Sequence, residues 1–78
     1  MNRPQRMDLR ARLNKKMWED ALETVGNAFN AGWLNEYDLD FYVQQLSAWQ
    51  MVGDEYGPTI KQFNYLRQLA VEAAKAGY

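Results

Sequence analysis

The chain has neither cysteine nor histidine, only two prolines and a single serine, Ser47. Without cysteine there is no disulfide framework and no thiolate metal site. Without histidine the commonest general base and the commonest imidazole ligand are also missing. No apolar run approaches the roughly 20 residues needed to span a bilayer, so no membrane segment is expected. The basic residues 1–16 are not followed by the apolar segment of a signal peptide, and a cytoplasmic location is the simple expectation.

Catalysis is equally poorly provided for. Ser47 falls mid-helix with no basic partner at helical spacing. Thr24 also falls mid-helix, and Thr59 reads as a helix cap. None of the five glycines forms a phosphate-cradling loop. Asp38-Leu39-Asp40 has the opening carboxylate spacing of a calcium loop, but the following glycine and the closing glutamate are absent. Glu19, Asp20 and Glu23 read as a solvated acidic face rather than a metal site. The expectation is a non-enzymatic protein with no catalytic residue, metal or cofactor.

What is present is aromatic and helical. Three Trp, five Tyr and three Phe stand among 78 residues. Large rings bury much area each, which suits a domain too small to build a deep core. The fold class predicted is all-α, a small three-helix bundle with helices at about 8–31, 35–52 and 59–76. Residues 1–7 would form a basic N-terminal arm and 8–78 a single helical domain. Asp8 is placed to cap the first helix and Gly32 to end it. Its main apolar stripe is Trp18, Leu22, Val25 and Phe29, which lie within about 60° of one another on a helical projection. Leu9 and Leu13 fall roughly 140–180° away, so this end of the helix either bends, faces a different neighbour or faces a partner.

The second helix has the sharpest start signal. Asn35 caps, Asp38 occupies the third helical position, and Leu34 staples onto Leu39. Its predicted core stripe is Leu39, Tyr42, Val43, Leu46 and Trp49. A second apolar row, Tyr37, Phe41, Ala48 and Val52, lies opposite, so this helix should be covered on two sides. Helices 1 and 3 could sandwich it, or one row could meet another molecule. For the third helix Thr59 and Gln62 form a T-x-x-Q capping box, with Gly57 as cap and Pro58 at the first position as the competing start. Gly77 ends it.

Charge is split along the chain. Residues 1–16 carry +5, whereas residues 33–58 carry −5 and contain no Lys or Arg. Two binding surfaces follow. The acidic, aromatic middle offers Tyr37, Asp38, Asp40, Phe41 and Tyr56 as protein-binding residues, since aromatics dominate interface hot spots. The basic segment offers Arg3, Arg6, Arg10, Arg12, Lys15 and Lys16 for phosphates or an acidic protein surface.

The leading expectation is an interaction module that docks on a larger protein or complex. A small phage or mobile-element accessory protein that inhibits or redirects a host complex is compatible with this size and composition. A homodimer is a second way to cover Leu9, Leu13, Tyr37 and Phe41. A nucleic-acid-binding accessory factor is the alternative. That alternative predicts binding to random-sequence RNA or DNA with a log–log salt slope of several units. Replacing Arg6, Arg10, Arg12 and Lys16 with Gln should abolish it in an anisotropy titration, and unchanged binding removes the reading.

Overall fold

A computed structural model describes residues 5–78. Among these residues three α-helices form a small bundle: α1 Arg12–Asn30, α2 Glu36–Val52 and α3 Ile60–Lys75, with a 3-10 turn at Gly53–Glu55. α1 and α3 run parallel and form the principal interface, with α2 antiparallel to both. This all-α, three-helix architecture is the one expected from the caps and periods.

The helix ends follow their local chemistry. The Asn35 side chain accepts from Asp38 N at 2.8 Å, and Glu36 and Asp38 sit at the positive end of the α2 dipole. Thr59 and Gln62 exchange both bonds of a capping box, at 3.0 and 2.9 Å, so α3 starts after Thr59 rather than after Gly57. α1 and α3 both stop in the same six-residue device. Trp33 N bonds back to Ala28 O and Gly32 N to Phe29 O, and the pair Tyr78–Ala73 and Gly77–Ala74 repeats it. The device needs a left-handed residue, and Gly32 (φ 72°) and Gly77 (φ 102°) supply it. The two ends bring the Trp33 and Tyr78 rings to 6.1 Å from each other.

The start of α1 differs from the expected one. The helix begins at Arg12, not near Asp8. Asp8 instead closes a tight turn, its Oδ1 accepting from Arg10 N at 2.9 Å. A short polar side chain that bonds two residues ahead competes with the helix. The turn frees Leu9 to point inward, where it is 0% exposed, while Leu13 on the helix is 69% exposed. The two leucines therefore do not share a face. Upstream, Met7 N donates to Pro58 O and Ile60 N to Gln5 O, so Arg6 and Thr59 form an antiparallel bridge.

Trp18 is the centre of the core. It is fully buried, stacks on Phe63 at 5.8 Å and tilts against Tyr56 at 5.9 Å. Leu9, Leu22, Val25, Leu66 and Leu69 complete the cluster.

α2 is rotated from its expected setting. The buried side chains are Tyr42 and Gln45, with Trp49, Phe41 and Leu46 half-buried beside them. Gln45 is only 3% exposed, and Tyr56 Oη donates to its Oε1. The inward face thus passes between the two apolar rows, about 70° from the centre of the predicted stripe. Leu39 and Val43 are left 37% and 40% exposed. Gln45 can be buried on this side because the Tyr56 hydroxyl satisfies its amide oxygen. Gly26 permits the close approach of α1 and α2, since a Cβ there would lie 2.8 Å from the Tyr42 hydroxyl.

The contrast between the two leucines gives a direct test. Leu9→Ala should destabilise by about 2–5 kcal/mol, as for a buried leucine leaving a cavity. Leu13→Ala should stay within about 0.5 kcal/mol of the parent. Urea melts of the two variants check both.

Candidate functional site

α2 carries its functional candidates because its inward face is narrow and its flanks are apolar. On one flank, Tyr37 and Phe41 lie one turn apart and meet Tyr65 of α3. Phe41 and Tyr65 pack edge to face with centroids 4.7 Å apart, and Tyr37 meets Tyr65 edge-on at 6.1 Å. These are the favoured geometries for aromatic pairs. The backbones of α2 and α3 are not in close contact, and long side chains bridge the gap between them. A groove of about 220 Å³ results, lined by Tyr37, Phe41, Gln44, Lys61, Gln62 and Tyr65.

One bond fixes the shelf. Tyr65 Oη donates to Asp38 Oδ1, so the ring is tied to the first turn of α2. The Asp38 carboxylate stabilises the protonated phenol, and burial adds to this, pushing the Tyr65 pKa up to about 12. Tyr37 rests on this support yet is 72% exposed. Its ring projects from the surface without contributing to the core.

The expected acidic, aromatic residues therefore divide. Tyr37, Asp38 and Phe41 come together with Tyr65. Asp40 is exposed on the outer side of α2, away from them. Tyr56 is remote, half-buried against Trp18 and bonded to Gln45, and burial raises its hydroxyl pKa. Tyr65 was missed by sequence reasoning. On α3 it lies beside the Phe63 and Leu66 stripe, and only its pairing with α2 marks it out.

The basic candidates are largely drawn into local pairs. Arg3 lies outside the described residues. Arg6 donates to Gly57 O at 2.6 Å. Arg10 pairs with Asp8 at 3.1 Å and holds that carboxyl below its usual range. Lys15 sits 3.2 Å from Asp54 and 4.0 Å from Glu19, and Lys16 is 3.4 Å from Asp20. Arg12 is exposed and has no ion pair among the described residues. Exposed pairs of this kind contribute at most about 1 kcal/mol each. They nonetheless spread the positive charge among carboxylates instead of gathering it into one patch.

Among the described residues no helix is long and apolar enough to cross a membrane. No three carboxylates there converge as metal ligands. Comparison with protein-family models, curated proteins and solved structures finds no match to this chain.

The Tyr65–Asp38 bond has a readable signature. A tyrosine whose folded pKa is raised stabilises the fold fully below its unfolded pKa of 10.0, and that contribution disappears as pH rises through about 12. In an ultraviolet titration of phenolate absorbance Tyr65 should ionise late, beside Tyr42 and Tyr56, which burial also raises. Asp38→Ala should return it toward the ordinary range, and an unchanged titration would disprove the coupling.

Proposed function

We propose that this protein is a non-enzymatic protein-interaction module that uses the aromatic shelf between α2 and α3. The observation that carries the reading is Tyr37: a large ring, 72% exposed, held edge-on by a tyrosine that is itself anchored to Asp38 and Phe41. An exposed aromatic on a fixed support loses little conformational freedom when it docks. Interface hot spots favour such residues beside a pocket from which water can be excluded. The adjoining groove supplies that pocket, and Gln44 and Lys61 give it a polar rim.

The pairing of Arg10, Lys15 and Lys16 with carboxylates favours this reading over nucleic-acid binding. Phosphate contact by those side chains would first require breaking the pairs. A larger protein or complex is the partner class proposed. Blocking or redirecting a host complex, as a small phage or mobile-element accessory protein would, is one form of the same activity.

Photo-crosslinking tests this in the cell that makes the protein. A benzophenone amino acid at position 37 should capture one discrete partner, and the same group at exposed Val71 should not. In the purified pair, Tyr37→Ala should weaken binding by about 30-fold or more, the size of a hot-spot loss. Its thermal melt should match the parent. Equal capture at both positions, or no loss in the alanine variant, defeats the proposal.

A further inference from the structure

The opposite flank of α2 carries the stripe that its sequence marks as core, and the fold leaves it half uncovered. Leu39, Val43, Leu46 and Gln50 follow one another at spacings of four, three and four residues. That is the seam spacing by which one helix packs along another. Leu46 and Trp49 line an open trough of about 530 Å³ with Leu22 of α1, Tyr42 and the polar Asn27, Asn30 and Gln50, and Leu39 and Val43 extend the same flank of α2 beyond that lining. Phe29, 5.4 Å from the Tyr42 ring and itself partly exposed, continues the apolar surface along α1. Gly26 also lines the trough, so no side chain from that position obstructs it.

The ionised side chains lining the trough are both carboxylates, Glu19 and Glu23. Lys15 partly offsets Glu19 at 4.0 Å but is closer to Asp54. Glu23 has no ion pair among the described residues. α2 adds exposed Glu36 and Asp40 beside Leu39 and Val43, and it contains no Lys or Arg. An open trough leaves much of a small molecule in water, whereas small-molecule sites enclose most of their ligand. A twofold mate placed stripe on stripe would set these carboxylates against their own copies, an unfavourable like-charge juxtaposition.

We propose that the α1–α2 trough seats a fourth helix from another protein, an amphipathic helix with lysine or arginine flanking its apolar side. Its apolar residues complete the Leu39–Val43–Leu46 seam as in helix-in-groove recognition, and its cations face Glu19, Glu23, Glu36 and Asp40. This seat is a separate surface from the Tyr37 shelf.

The test titrates the isotope-labelled full chain with a designed Leu/Lys amphipathic peptide of about fourteen residues, roughly four helical turns. A Leu/Glu peptide of the same pattern is the control. Amide shifts are expected at Leu22, Phe29, Leu39, Val43, Leu46 and Trp49 with the Leu/Lys peptide alone. Val43→Lys and, separately, Glu23→Lys should each weaken binding at least tenfold. Tyr37→Ala should leave it unchanged, which separates this seat from the aromatic shelf. Val43 is already half in solvent, and Leu39→Lys repeats the test if Val43→Lys fails to fold. Shifts scattered over the surface, equal binding of the Leu/Glu peptide, or unaltered binding by the variants would overturn the proposal. So would sedimentation showing a dimer that Val43→Lys dissociates, because the seat would then belong to a second copy.

Discussion

The hydroxyl of Tyr56 donates to the side-chain oxygen of Gln45, and this bond lets α2 turn a polar side chain into the core. A buried amide left unpaired costs roughly 1–3 kcal/mol, a large share of the stability of so small a domain. Once Gln45 must face inward, every other residue of α2 is fixed by the helical period. The partner is itself held from below, since the Tyr56 ring leans on Trp18, which stacks on Phe63. One connected set of contacts therefore joins α2, the loop before α3, α1 and α3. Trp18 Nε1 has no hydrogen-bond partner among the described residues. Indole burial here is favoured by area and stacking rather than by polar satisfaction.

The same rotation creates both candidate surfaces. With Tyr42 and Gln45 inward, the row containing Tyr37 and Phe41 turns toward α3, and Leu39 and Val43 are left partly exposed on the other flank. Neither row is wholly covered. The α3 side is closed only in part, by Tyr65, and the α1 side stays open as a trough. An apolar helix with polar residues on its inner face is poorly economical as a piece of core. As a rib with two docking flanks it is well suited.

Electrostatics divides the molecule along the same lines. Arg10, Lys15 and Lys16 meet Asp8, Glu19, Asp20 and Asp54 close at hand, and Arg6 meets a carbonyl of the loop before α3. α2 receives no such compensation from its own sequence, since its ionisable residues other than tyrosine are all acidic. The negative field is therefore strongest along the helix that also exposes the most apolar surface. The seat proposed for a cationic amphipathic helix rests on that combination.

The sequence by itself determined whatever depends on a few neighbouring residues. Asn35 with Asp38, Thr59 with Gln62, and Gly32 and Gly77 all act within one helical turn or its cap, and they stand where expected. Helix number and class follow from these signals. The tertiary structure decided the rest. Leu9 is buried because Asp8 turns the chain before the helix starts, an outcome of competition between local bonds and a distant core. The inward Gln45 of α2 is satisfied by Tyr56, eleven residues away and beyond a glycine turn. Tyr65 joins the shelf through Asp38, 27 residues away. Periodicity finds that a helix has two apolar rows, but which row faces inward depends on partners that only folding brings within reach.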